Sequence, residues 1–367
     1  MAYSMSNGLL YHSNIPVLYS KDTVFDSVPG IEKYKKVARY FDENSFILDR
    51  TNVITMPFRV KNSNPLPAFD QNFSMSYRDC VEDRMVELDQ IHQHTGKKFR
   101  LLYSGGIDSS GIFAAFIEYY GASKTRDVLE ICCSKESIDE NPWLWNKFIR
   151  KENFDIFSSH DHNNHWTDNR IILMGEGNDQ LFGRADYNQF KSNRNLYSNI
   201  TVDEISKYLN RSRKFQGVEE AAEVFIKLSD AAPIPITNTA LLVWWTNFNL
   251  AWNGLMYRVL GQARSLPADT IESGLFQFYN TNNFQRWSLK YHFDNPISFA
   301  DPEKFKIDCK DMIIDILDIP EYRNKGKFNS FPRVHYMKPS WKLIDTALNV
   351  YKSNEDYLKF VQPNSFG

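Results

Sequence analysis

Six consecutive residues, Ser104-Gly105-Gly106-Ile107-Asp108-Ser109, combine the features a phosphate-binding turn needs. Two adjacent glycines let the backbone approach a ligand closely, and Ser104 and Ser109 add hydroxyl donors. A helix starting there would aim its free amides and the positive end of its dipole at the same spot. Asp108 would repel a phosphate in that cradle unless a divalent cation lay between them. The turn therefore predicts phosphate together with magnesium. Its spacing fits neither G-x-x-x-x-G-K-[ST] nor G-x-G-x-x-G, so the two commonest glycine-loop readings fail. A second stretch, Gly175-Glu176-Gly177-Asn178-Asp179-Gln180-Leu181-Phe182-Gly183-Arg184, follows the apolar run Ile171 to Met174 and carries two acids three residues apart.

Both stretches need a strand before them. Lys97 to Tyr103 suits a buried parallel strand, and Ile112, Phe113, Ala115, Phe116, Ile117 and Tyr119 recur at helical spacing until Gly121. A helix is expected over residues 74 to 94, beginning at Ser74 or Ser76. Val128 to Cys133 and Phe154 to Ser158 read as the next strands, with a helix between them from Asp139 to Lys151 that has Pro142 in its first turn. Strand and helix thus alternate, as in a parallel α/β sheet.

The first motif resembles the S-G-G-x-D-S pyrophosphatase loop of the N-type ATP pyrophosphatases, which cleave ATP between its α and β phosphates. The second is similar to the G-E-G-x-D-E-L-F-G-G motif of the asparagine synthetase family, and the order of the two is that family's order. The resemblance spans about 80 to 335. It implies an adenine-nucleotide α-hydrolase-like (PP-loop) α/β sheet with helices on both faces. Leu102, Ser104, Gly105, Gly106, Asp108, Ser109 and Gly175 would bind ATP, Asp108 and Asp179 would hold Mg2+, and Glu176 would manage the proton of an incoming amine. The late segment Tyr322-Arg323-Asn324-Lys325-Gly326-Lys327-Phe328 resembles the family's R-x-K-x-x-F element. Lys325 is the matching catalytic position, with Lys327 as the substitute. Gln180 stands where the family has glutamate, and Arg184 where it has glycine. About a dozen residues separate the strand ending at Ser158 from that at Ile171, where the family carries a longer helical insert. This trimmed loop, 159 to 170, points to an altered or larger acceptor.

The chain of 367 residues can hold two domains and a sizeable core. Its formal charge of −2 gives no electrostatic footprint for nucleic acid, and 15% aromatic residues argue for a packed globule. Cys80, Cys132, Cys133 and Cys309 form no C-x-x-C pair, so neither a zinc ribbon nor a disulfide scaffold is expected. Adjacent Cys132 and Cys133 read as core packing. No signal-peptide pattern opens the chain, so the expected compartment is the cytoplasm. The uncharged run Ile236 to Tyr257 is interrupted by four asparagines and reads as a buried helix, not a membrane span. His160, His162 and His165 have metal-like spacing but sit in a polar, loop-like run.

Residues 1 to 72 are expected to form a small α+β cap, with strands at Leu9-Leu10-Tyr11, Val17-Leu18-Tyr19, Phe46 to Leu48 and Val53 to Met56 and a helix from Ile31 to Phe41. Residues 73 to 200 are the expected α/β core. Residues 201 to 367 read as helical, with a capping box at Thr201 to Glu204 and a helix from Pro302 to Leu317. The family's glutaminase would need a cysteine at position 2, where this chain has Ala2, so no glutaminase is expected. The resulting expectation is an ATP-dependent, AMP-forming carboxylate–amine ligase. It would take a small-molecule carboxylate, aspartate by family habit, with ammonia or an amine that a separate protein could supply. The alternatives are a PP-loop enzyme that adenylates a nucleobase or tRNA, and a non-catalytic ATP-binding homologue.

Overall fold

The computed structural model describes residues 8–12, 34, 47–54, 64–158, 169–183, 200–212, 218–252, 274–296, 305–324, 341–345 and 350–351. Ahead of the central sheet come β1 (Gly8–His12) and α1 (Tyr77–Thr95). Helix α1 starts where its cap dictates: the Ser76 hydroxyl accepts from the Asp79 amide while the Asp79 carboxylate accepts from the Ser76 amide. Gly96, in the left-handed conformation at φ 65°, ends it. Next follow β2 (Lys98–Leu102), α2 (Ile107–Val128) and β3 (Leu129–Cys133). The stop expected at Gly121 appears as a kink inside α2, where that glycine takes φ 74° and ψ 162°.

The helix expected from Asp139 to Lys151 is divided. A Ser134–Ser137 capping box starts α3 (Lys135–Glu140), then Asn141 caps the short α4 (Pro142–Leu144), which runs into a π turn over Trp145–Ile149. Strands β4 (Ile156–Ser158) and β5 (Arg170–Met174) precede α5 (Asn178–Phe182), α6 (Val202–Ser212), α7 (Val218–Asp230) and α8 (Thr239–Thr246). Helix α8 and the π turn Asn247–Ala251 that extends it are buried, as the uncharged run implied. The remaining elements are β6 (Leu275–Gln277), α9 (Asn282–Asp294), α10 (Ile307–Leu317), β7 (Trp341–Asp345) and β8 (Val350–Tyr351). No helix among the described residues is long and apolar enough to cross a membrane.

Five strands form one sheet in the order β4-β3-β2-β5-β6, and every pair is parallel. The chain adds β3 and β4 on one side of β2, then returns to add β5 and β6 on the other. The carboxyl ends of β2 and β5 therefore flank the point where strand order reverses, which is where open α/β sheets bind ligands. Leu101, Ile131 and Leu173 are fully buried, and Phe99 meets Phe116 of α2 edge to face. Three strands are also tied by charge. Arg100 on β2 donates twice to Glu130 on β3, at 3.0 and 2.8 Å, and Arg170 on β5 donates to the other oxygen of Glu130 at 2.7 Å. The one carboxylate, Glu130, is thus shared by the buried Arg100 and the half-buried Arg170, so its charge is compensated, the condition under which burying it is tolerable.

Two expectations differ from what is observed. Residues 47–54 form bends and irregular backbone, not strands, because their polar groups bond to distant segments: Leu48 N donates to Leu250 O at 2.7 Å and Arg50 N to Asn249 Oδ1 at 3.0 Å; Phe46, Thr55 and Met56 of the expected strands lie outside the described residues. The region after 201 is not helical throughout. It supplies β6 to the main sheet and β7 and β8 to a second sheet, in which β1 pairs antiparallel with β7. The strand expected at Leu9 to Tyr11 is β1. Val17 to Tyr19, and all of the helix expected over 31 to 41 except the helical Tyr34, lie outside the described residues.

Candidate active site

The turn after β2 folds as its glycines require. Gly105 takes φ 75°, and a side-chain carbon there would lie 2.2 Å from the Ser137 carbonyl oxygen, so both conformation and space demand glycine. The two serine hydroxyls brace the loop. Ser109 Oγ accepts from Ser104 N at 3.2 Å and lies 3.1 Å from Ser104 Oγ, which accepts from Gly106 N at 3.3 Å. Ser109 is buried, so its hydroxyl shapes the cradle from within. Helix α2 begins at Ile107 with Gly106 as its cap and no side chain capping its first amides. A helix start without a side-chain cap has amides available to an anion.

The second motif follows β5 and comes to the same place. Gly175 lies so close to the first loop that a side-chain carbon there would sit 2.9 Å from Asp108 Cβ and 3.2 Å from Ser109 N. Gly177, at φ 99°, turns the chain into α5. Glu176 is half-buried at the turn, and Asp179 stands in the first turn of α5 with 45% of its side chain exposed. Leu102 is half-buried at the end of β2, opposite Cys132. Gln180 is buried, and its Oε1 has no partner among the described residues. With no donor to it among the described residues, a carboxylate in its place would be costlier to bury than the amide.

Four residues that sequence patterns did not single out complete the arrangement. Lys306, buried with 4% of its side chain exposed, places Nζ 2.5 Å from Asp108 Oδ1 and 2.5 Å from Asp179 Oδ1. Burial alone would lower its pKa, but the two carboxylates outweigh that and hold it above the ordinary lysine value. Asn178 donates to Asp108 Oδ1 at 2.7 Å and accepts from the Tyr77 hydroxyl at 3.0 Å. Tyr279 donates to the Asp108 carbonyl at 2.8 Å. Burial keeps the Tyr77 and Tyr279 hydroxyls well above the usual tyrosine pKa, so both serve as donors.

Each of these was concealed for a physical reason. Lys306 fell inside the helix expected from Pro302 to Leu317. In fact α10 begins at Ile307, and Lys306 precedes it at φ 54° in the left-handed region. Asn178 is the variable position of its motif. Tyr77 and Tyr279 look like ordinary core aromatics, and their rings do stack, with centroids 6.4 Å apart.

Asp108 and Asp179 are hard oxygen donors held within reach of one ammonium. Such carboxylates fit the ligand type magnesium takes, one or two of them with the rest of its shell left to water or other oxygens. Among the described residues no group of three or more His, Cys, Asp or Glu could hold a metal by protein ligands alone. Cys132 and Cys133 are buried thiols, pushed up to about 12 and about 11 by burial, as the core-packing reading implied. The 3₁₀ turn Pro320–Asn324 packs on α10 and buries Tyr322, whose hydroxyl lies close to Ser110 of α2. The chain immediately before Lys325 is thereby anchored against the helix that carries Asp108. Lys325 and Lys327, Arg184, and His160, His162 and His165 lie outside the described residues.

Set against known proteins, the chain matches no family model, no curated protein and no solved structure.

Proposed function

We propose that this protein is an ATP-dependent, AMP-forming carboxylate–amine ligase of the asparagine synthetase type, built on a PP-loop sheet. The observation that supports the reading best is the meeting of two motifs, with Asn178 bonded to Asp108 across 70 residues of sequence. They meet at the strand-order reversal, around a buried ammonium. A glycine cradle, uncapped helix amides and a buried lysine supply positive charge, while two aspartates add hard oxygen ligands. Such a set suits a polyphosphate carrying a divalent cation.

The chemistry follows from the leaving group. A carboxylate resists amines because oxide would have to leave. Its oxygen instead attacks the α-phosphorus of ATP, the bond to the β-phosphate oxygen breaks, and pyrophosphate departs with an acyl-adenylate left behind. The amine nitrogen then attacks the acyl carbon, the carbon–oxygen bond to AMP breaks, and the nitrogen sheds a proton. When bound, magnesium neutralises charge building on the departing phosphates. The turn residues Ser104 to Ser109 would hold the phosphates, Lys306 would add its charge beside them, and Glu176 would accept the proton. Lys325, or Lys327 in its stead, would stabilise the charge of both transition states.

The test is pyrophosphate and AMP release from Mg-ATP by the purified protein, with and without aspartate and ammonium. Release that depends on aspartate and yields asparagine identifies the acceptor. Release only with another carboxylate keeps the chemistry and changes the acceptor, and release that depends on tRNA replaces the reading with base adenylation. Tight nucleotide binding with no release under any condition makes the protein a non-catalytic binder. Asp108→Ala with wild-type turnover would refute the assignment outright.

A further inference from the structure

Lys306 sits in the place a bridging metal ion would occupy. Its ammonium is 2.5 Å from one oxygen of each aspartate, and the residue is 3% exposed. Its backbone is fixed as well: the left-handed φ of 54° precedes α10, and Lys310 N donates to Lys306 O at 2.9 Å. Nζ also lies 5.5 Å from the centre of the Phe305 ring, an additional attraction for a cation. A dication cannot bridge the same two oxygens while the ammonium stays, because the two positive charges would share one small space. The ammonium cannot leave for an apolar environment, because a buried charge needs a compensating anion. A new anion beside it would release it.

We propose that Lys306 makes the Asp108–Asp179 pair selective for metal that arrives with nucleotide, and excludes the free divalent ion. The inference rests on the nucleotide reading above. Phosphate oxygens seated in the Ser104 to Ser109 turn offer the ammonium new acceptors, and the aspartates become available to the metal in the same event. Nucleotide and metal are then thermodynamically coupled, each raising the affinity of the other by the same factor. Lys306 is thus a specificity-determining residue, and the role predicts a binding behaviour that can be read without turnover.

Mn2+ reports it directly, because the free aqueous ion has a room-temperature electron paramagnetic resonance signal that falls as the ion binds. The full chain is titrated with Mn2+, alone and with α,β-methylene-ATP, which cannot be cleaved between its α and β phosphates, and the second titration is read against the same analogue without protein, since its phosphates bind Mn2+ themselves. The expected result is weak binding to the wild type alone and at least about tenfold tighter binding with the analogue, a coupling of ordinary size for linked sites. Lys306→Met, which leaves the two carboxylates facing each other without an ammonium, is expected to bind Mn2+ without nucleotide at least about tenfold more tightly than the wild type. Equal affinity of the two proteins without nucleotide overturns the proposal.

If Lys306→Met fails to fold, Asp179→Asn decides the matter, since Asp179 is half-exposed. Wild type and Asp179→Asn should titrate alike without nucleotide. A nucleotide-free Mn2+ site lost in Asp179→Asn overturns the exclusion. If the analogue does not bind at all, the ligase reading falls, while the comparison of nucleotide-free Mn2+ affinities still decides the role of Lys306.

Discussion

Asn178 Nδ2 donates to Asp108 Oδ1 across 2.7 Å, and this bond sets which way the amide points. The other end of the amide receives the Tyr77 hydroxyl at 3.0 Å, and that hydroxyl stays protonated because burial raises its pKa. Donor and acceptor are therefore matched along the chain Tyr77, Asn178, Asp108. Tyr77 sits in the first turn of α1, so the start of that helix positions the carboxylate. Removing a partner that orients a metal-binding carboxylate commonly costs about 10- to 100-fold in metal affinity or activity. On the proposed ligase reading, Asn178→Ala is expected to lose activity in that range, measured as kcat/KM for pyrophosphate release. Tyr77→Phe should lose less, because it frees the amide to rotate without deleting its donor. Asn178→Asp should lose most, since it sets a second carboxylate against Asp108. Equal activity in all three would remove the chain from the mechanism.

The contact of Gly175 with Asp108 yields a steric prediction. A methyl group at position 175 would lie 2.9 Å from Asp108 Cβ and 3.2 Å from the Asp108 carbonyl carbon. Neither neighbour is the end of a flexible chain, so the two loops must part. Overpacking of this kind typically costs about 1–3 kcal/mol. Gly175→Ala should lower the melting temperature and, on the proposed ligase reading, raise KM for ATP together with it, because the same displacement opens the cradle. A variant with wild-type KM would show that the loops need not touch to hold nucleotide.

The glycine turns, strands β2 and β5 and the start of α1, at one of two serines, were legible in the sequence because each is specified by neighbours along the chain. What escaped was set by neighbours far away. Lys306 meets Asp108 across 198 residues, and its left-handed backbone interrupts a run that reads as helix. Tyr279 bonds Asp108 across 171 residues and follows β6, a strand of three residues too short to show alternation. Ile47, Leu48 and Ile54 are buried and so resemble strand residues, yet no strand forms. Their backbone is held by side chains: the Asp49 carboxylate accepts from Thr51 N and Ile54 N. Local pattern reports burial there without reporting what the burial is against.

His292 predicts an acid-sensitive step. It is fully buried, stacks on Trp244 with ring centres 4.2 Å apart, and its Nε2 lies 3.0 Å from Leu181 O, placing it as a donor to α5. Ser288 Oγ donates to the same carbonyl at 2.6 Å, so α9 holds the helix that carries Asp179. Burial pushes the His292 pKa from 6.5 down to about 3. Below about pH 6.5 the unfolded chain therefore takes up a proton that the folded protein refuses. Stability is complete above that pH and falls as pH drops toward about 3, by about 1.4 kcal/mol per unit once well below the unfolded pKa. His292→Phe keeps the stacking and loses the bond. It should be less stable than wild type at pH 8, and denaturant titrations should show the gap narrowing by about 1–2 kcal/mol by pH 5. A gap independent of pH would show that His292 does not set the acid sensitivity.

Arg50 makes the segment 47–54 part of the helical region's packing. Its guanidinium is buried and donates to the carbonyls of Asn64 at 3.0 Å, Phe248 at 3.1 Å and Pro65 at 3.2 Å, and also to Gln285. Burial pushes its pKa down to about 9, so at neutral pH it is still charged. The rings of Phe248 and Trp252 lie 5.2 and 5.5 Å from the guanidinium carbon and soften the cost of burying that charge. Arg50→Met fills much of the volume but leaves the three carbonyls without their donor, at about 1–3 kcal/mol for each one that water cannot reach. A total loss of about 3–5 kcal/mol in denaturant unfolding is expected, toward the large end for a single substitution. Cleavage within 47–54 by a protease should also speed up, since this residue bonds that segment to 64–65 and to the turn after α8. KM for ATP should be unaffected, because none of these bonds involves Asp108, Asp179 or Lys306. A destabilised protein whose 47–54 segment resists protease as the wild type does would show that Arg50 stabilises the helical region without holding the segment to it.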